Sequence, residues 1–192
     1  MEEGWTLNLI FDFDGTLASL PIDWKKLRAK VSKLYGKLNQ NETIFMWIHE
    51  RKKKGLEVAH VLRLIEEAEE KAVDKLYYSG EVLEVLRQLK NKGARLAVVS
   101  MQSERTLRRA LNLMGIENIF DHIVGREQSL QREEQLLKVL SRWKVGPQEA
   151  VFLTDRADDI DLGRKLGLKA YRAKVLDGSI ITVLRELERK AG

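Results

Sequence analysis

The chain contains no cysteine, which excludes disulfides, thiol nucleophiles and cysteine-ligated metal centres. Histidine is nearly as scarce: only His49, His60 and His122 occur, scattered in sequence, which argues against a histidine metal cluster. No apolar run approaches the roughly 18 residues of a bilayer-spanning helix. The opening MEEGW has no basic region followed by a hydrophobic one, so the expected location is the cytoplasm. The P-loop pattern, the dinucleotide fingerprint and the nucleophile elbow of serine hydrolases are all missing. Internal repeats and low-complexity segments are absent too.

What is present suits a folded domain. The 192 residues can bury a full core, with room for a modest insertion. The net charge of +5 comes from Lys and Arg interleaved with Glu along helices, which reads as solvated surface and not as a nucleic-acid or membrane face.

The stretch Leu7 to Leu17, LNLIFDFDGTL, carries the strongest signal. An apolar strand ends in Asp12 and Asp14, and residues two apart on a strand share a face. The ordinary reading of Asp-Gly after a strand is a turn. Here the strand is apolar on both faces, as a central parallel strand is, so the acids fall at the sheet edge inside a crevice. Two carboxylates about 4 Å apart repel by roughly 4 kcal/mol at an effective dielectric near 20, and a cation reverses that sign.

Residues 18–77 predict helices only. Ala18 to Pro21 read as a linker. Asp23 is a candidate N-cap for a helix carrying Trp24, Leu27, Val31, Leu34 and Leu38, broken by Asn39-Gln40-Asn41. A second helix spans about Thr43 to Lys54, where Arg51-Lys52-Lys53-Lys54 reads as a solvated helix end. The width of the apolar cluster Phe45, Met46, Trp47 and Ile48 suggests packing on a partner or on the core. A third helix spans about Glu57 to Leu76, with Val58, Val61, Leu62, Ile65 and Ala68 inward and Glu66, Glu67, Glu69 and Glu70 mostly outward. From Ser79-Gly80 onward, helices alternate with short apolar runs at Arg95 to Ser100, His122 to Val124, Ala150 to Thr154 and Lys169 to Ala173, ending in a helix at Ile180 to Lys190.

This alternation implies an α/β fold: a Rossmann-like parallel sheet of about five strands with helices on both faces, plus a small all-α cap domain. The expected division is residues 1–17 and 78–192 as core and 18–77 as cap. Ligands in such sheets bind beyond the carboxyl ends of the strands. Three strands end in functional groups there: Asp12 with Asp14, Ser100, and Asp155. Carboxylates from two strands can hold one hard cation, and Mg2+, with few carboxylates and several waters, suits them better than Ca2+ or zinc. In DRADDID, Asp158 and Asp161 read as ordinary helix N-terminal acids, and Asp155 with Asp159 as site residues.

DFDGTL at Asp12 to Leu17, a strand ending in Ser100, and TDRADDI at Thr154 to Ile160 resemble, in order, three signature motifs of the haloacid dehalogenase superfamily. The resemblance covers essentially the whole chain, the segment before Gly80 being similar to that superfamily's helical cap. It implies a phosphatase in which Asp12 is the nucleophile that forms an aspartyl phosphate, and Asp14 the acid and then the base. It implies Mg2+ bound by Asp12, the backbone carbonyl of Asp14, and Asp155, with Asp159 in support, and Ser100 bonding the phosphoryl oxygens. An acid at the Asp14 position accompanies phosphatases and phosphomutases and is lacking in dehalogenases. The family usually places a lysine before the helix that precedes its last acidic motif, and in GREQSLQREEQLLKVL no lysine occurs before Lys138. Arg132 is the leading stand-in and Arg126 the next, while Arg156 stands where small polar residues are usual. The expected partner is a small-molecule phosphate ester, and the expected state a monomer or homodimer. A phosphomutase, or a scaffold that binds without turnover, is the alternative.

Overall fold

The computed structural model describes residues 6–36, 38–39 and 42–191. The opening MEEGW, Gln40 and Asn41 of the expected helix break, and Gly192 at the end of the expected core segment lie outside the described residues. The chain runs β1 (Asn8–Asp12), β2 (Ala18–Ser19), α1 (Trp24–Tyr35), α2 (Ile44–Lys53), α3 (Ala59–Val73) and β3 (Tyr77–Tyr78). It continues through α4 (Gly80–Asn91), β4 (Arg95–Val99), α5 (Glu104–Leu113), β5 (His122–Val124), α6 (Arg132–Trp143), β6 (Ala150–Thr154), α7 (Ala157–Lys165), β7 (Lys169–Arg172) and α8 (Ser179–Ala191). None of the described helices is long and apolar enough to cross a membrane.

The five expected strands form one parallel sheet in the order β5-β4-β1-β6-β7. Central β1 pairs with β4 on one side and β6 on the other, so the ends carrying Asp12, Ser100 and Asp155 converge at the switch point. Both faces of β1 are buried. Leu9, Phe11 and Phe13 pack with residues of α4, α5 and α8, while Ile10 packs on the opposite face with residues of α6 and α7. The α1–α3 helices gather a separate apolar cluster around Val31, Ile48, Val61 and Ile65. Near its end α3 reaches the main core through Ala72 and Val73.

Asp23 does cap α1, its carboxylate accepting from Lys26 N at 2.9 Å. The helix stops sooner than the apolar spacing predicts, because Gly36 takes φ +94° and ends it at Tyr35. Leu38 is therefore buried outside the helix, and Leu34, expected inward, is 50% exposed. The linker and the all-helical reading of 18–77 also need correction: β2 and β3 pair antiparallel, Ala18 with Tyr78 and Ser19 with Tyr77. Two-residue strands carry no periodicity, so nothing in the sequence announces them. Their pairing sets the departure and return of the helical segment side by side. Within α2, Trp47 and Ile48 turn inward, Phe45 meets Trp24 edge-on at 5.8 Å, and Met46 is left exposed, so most of that cluster is spent within the helical segment. The third helix is shorter than expected, and Glu69, expected outward, is fully buried.

Two leucines of α1 test this packing. Leu27→Ala is expected to cost about 2–5 kcal/mol and Leu34→Ala less than about 1 kcal/mol in urea denaturation, because only Leu27 leaves a cavity. Equal losses at the two positions would contradict the burial described.

Candidate active site

The turn after β1 is built from local bonds. Phe13 O accepts from the N–H groups of Leu17 and Ala18 at 2.9 and 3.2 Å, and Gly15 N donates to Ala18 O at 2.7 Å. Gly15 sits at φ +86°, and a Cβ there would lie 2.6 Å from Asp155 Oδ2. Only glycine lets the Asp14–Gly15 backbone approach the Asp155 carboxylate so closely.

Asp12, at the end of β1, is buried. Its Oδ1 accepts from Phe13 N and from Arg132 Nη2, both at 2.8 Å, and its Oδ2 accepts more weakly from Thr154 Oγ1 at 3.4 Å. Asp14, in the turn, accepts from Leu20 N at 2.8 Å. Arg132 opens α6 and is itself buried. Its guanidinium donates through Nη2 to Asp12, through Nε to Asp159 Oδ2 at 3.0 Å and through Nη1 to Gln135 Oε1 at 3.1 Å. Three of its five N–H groups are thus engaged, and two remain for a ligand.

Gln135, one turn further along α6, donates from Nε2 to Ser100 O at 2.7 Å and to Ser129 O at 2.9 Å. Ser100 is buried just past β4, its N–H bonded to Val124 O at 2.9 Å and its hydroxyl to Gln102 Oε1. Arg126 stands apart from this group: its Nη1 bonds both oxygens of Glu69, at 2.6 and 2.8 Å, and Met101 O at 3.1 Å. Of the two candidate arginines, Arg132 is therefore the one beside Asp12. Asp158 faces solvent in a long pair with Arg156 at 3.9 Å, and Asp161 is exposed, so neither enters the site. Sequence reasoning missed Thr154, Gln102, Gln135 and Glu69. For Gln135 a signal existed, since it shares the buried stripe of Leu136 and Val139.

Burial pushes the Asp12 carboxyl up, while Arg132 opposes it. Burial also takes Asp14 up to about 6, with Asp12 and Asp155 adding to the effect. Asp155 is raised by burial as well, against the pull of Lys174 and Arg156. Asp155 Oδ1 is buried without a hydrogen-bond partner. Among the described residues no three His, Asp or Glu side chains form a ready-made metal cage. Mg2+ does not need one, since it binds through one or two carboxylates and fills the rest of its shell with water and phosphate oxygens. The orphaned Asp155 oxygen and the adjoining Asp12 fit that demand. An open cleft of about 610 Å3 lies elsewhere, lined by residues including Arg63, Glu66, Arg105 and Arg109, and holds none of these groups.

A family model described as haloacid dehalogenase-like hydrolase matches residues 9–173. The chain belongs to that family. It is 32% identical over 96 residues to a phosphoglycolate phosphatase of Aquifex aeolicus, covering 48% of this chain and 45% of that one. It is 31% identical over 97 residues to a putative pyrophosphatase of Caldanaerobacter subterraneus, covering 49% and 44%. The chain thus spans less than half the length of these curated relatives. The crystal structure of a predicted phosphoglycolate phosphatase from Haemophilus somnus superposes with a TM-score of 0.65 at 18% identity, over 97% of this chain and 99% of that one, which shows the fold. Within the haloacid dehalogenase-like fold, the guanidinium of Arg132 is the cation bonded to Asp12.

Asp14 gives a pH test with a defined sign. Its folded-state pKa near 6 lies above the ordinary 3.8, so its contribution to stability is full below about pH 4 and lost as pH rises through 6. In the presence of chelator, Asp14→Asn should gain roughly 3 kcal/mol relative to wild type between pH 4 and 7, read by denaturant titration. A difference that stays flat or changes the other way would contradict the burial of this carboxyl.

Proposed function

We propose that the chain is a Mg2+-dependent phosphohydrolase that removes phosphate from a small phosphorylated metabolite through an aspartyl-phosphate intermediate. The observation that carries this reading is the pairing of Asp12 with Arg132 at the end of the central strand. An oxygen of Asp12 attacks phosphorus as the bond to the ester oxygen breaks, and Asp14 delivers its proton to that leaving oxygen. Asp14 then takes a proton from water, which attacks phosphorus, releases phosphate and restores the Asp12 carboxylate. Arg132 opposes the effect of burial on Asp12 and aims its carboxylate, and its two remaining N–H groups meet the phosphoryl oxygens in the forked geometry that suits arginine. Ser100 donates its hydroxyl to the same oxygens once the bond to Gln102 yields.

Asp12, the Asp14 carbonyl and Asp155, with Asp159 in support, would hold Mg2+, which when bound would supply positive charge to offset that developing on the phosphoryl group. A carboxyl near pKa 6 holds a proton to give close to neutrality, which matches the role of Asp14. The relatives' names, phosphatase and pyrophosphatase, support phosphoryl transfer to water. Residues 18–77 act as the cap and 1–17 with 78–192 as the core, a division supported by the separate apolar cluster of α1–α3.

With Mg2+ and a generic aryl phosphate the purified protein is expected to turn over. Asp12→Asn should lower kcat by about 10³ or more. Arg132→Lys, which keeps the charge and loses the fork, should lower kcat/KM by roughly 10–100-fold. A wild-type protein inert toward a broad panel of phosphate esters would refute the assignment.

A further inference from the structure

Glu69 and Arg126 form a buried ion pair that the chemistry above does not use. Glu69, on α3, is wholly buried, and Arg126, just past β5, is 6% exposed. The pair is aimed at one loop, residues 100–103, which joins β4 to α5 and carries Ser100. Arg126 Nη1 donates to Met101 O at 3.1 Å and Arg126 N to Gln102 O at 3.1 Å. Ser103 N donates to Glu69 Oε2 at 3.3 Å. From the opposite side Gln135 donates to Ser100 O at 2.7 Å. The loop is gripped at each of its four residues, and the bond to Ser103 comes from α3, a helix of the 18–77 segment.

Stability does not explain the arrangement. Removing two charges from water usually costs more than their attraction returns, and apolar replacements of a buried pair are often neutral or stabilising. Burial also pushes the Glu69 carboxyl up to about 7 even with Arg126 against it. What apolar side chains cannot do is bond Met101 O and Ser103 N in fixed directions.

We infer that Glu69 and Arg126 are positioning residues that hold the Ser100 loop in its phosphate-binding shape and so couple helix α3 to the phosphate subsite. The phosphate half of this inference rests on the phosphohydrolase reading, and the loop half on geometry alone.

The decisive variant is the double substitution Glu69→Met with Arg126→Leu, studied beside wild type in two readouts. One is the affinity for inorganic phosphate in the presence of Mg2+, the other the hydrogen exchange of the Met101, Gln102 and Ser103 amides. The denaturation midpoint should stay near the wild-type value. The phosphate dissociation constant should rise roughly tenfold or more, the weight of one hydrogen bond involving a charged group, and the three amides should exchange faster. Wild-type affinity together with wild-type exchange in a stably folded double variant would overturn the inference. Should that variant not fold, Glu69→Gln is read in the same two ways with the same criteria. If wild type binds no phosphate, the functional reading falls, and loop exchange alone decides the inference.

Discussion

One guanidinium holds the site together. Arg132 lies between Asp12 and Asp159, out of water, and bonds both. Without it, the buried Asp12 and the partly buried Asp159 would be left to repel each other by up to several kcal/mol. With it, the first turn of α6 is tied to the end of β1 and to the first turn of α7. The same side chain reaches Gln135, and Gln135 reaches Ser100, so four of the sheet-edge elements are joined through hydrogen bonds that start at one residue.

The remaining charges are left unbalanced. Asp14 and Asp155 are raised by burial, and one oxygen of Asp155 has no protein partner at all. A fold selected for stability alone would pair or expose such groups. Their retention at the carboxyl edge of the sheet is what a site awaiting a cation and an anionic substrate requires, and Gly15 permits it by giving the turn a close approach to Asp155. The raised carboxyl of Asp14 and the empty bonding capacity of Asp155 are two results of the same burial.

Much of this was legible in the sequence because it depends on local pattern. The five strands are short apolar runs between helical periodicities, and Asp12, Asp14, Ser100 and Asp155 stand at their ends, where register in a parallel sheet brings them together. Other features depend on distant partners. A glutamate beside other glutamates on a helix normally faces outward, and Glu69 does not. Its partner Arg126 lies on another element 57 positions away, and no periodicity reveals that pairing. Spacing alone places Leu34 and Leu38 on one helical stripe and does not show that Gly36 ends the helix at Tyr35, which leaves Leu34 exposed and Leu38 buried beyond the helix. The β2–β3 ribbon is two residues deep and defined only by pairing. Arg132 was separable from Arg126 only by geometry: both precede or open the same helix, and one faces Asp12 while the other faces Glu69.

The central claim is that Asp12 attacks phosphorus. It is tested most directly by trapping the adduct in Asp14→Asn with an aryl phosphate whose leaving group needs little help from an acid, and then mapping the phosphoryl group by peptide mass spectrometry. A hydroxylamine-labile phosphoryl group on the peptide carrying Asp12, absent from Asp12→Asn, is the expected result. Phosphate release by wild type with the phosphoryl group mapped to any other residue would contradict it.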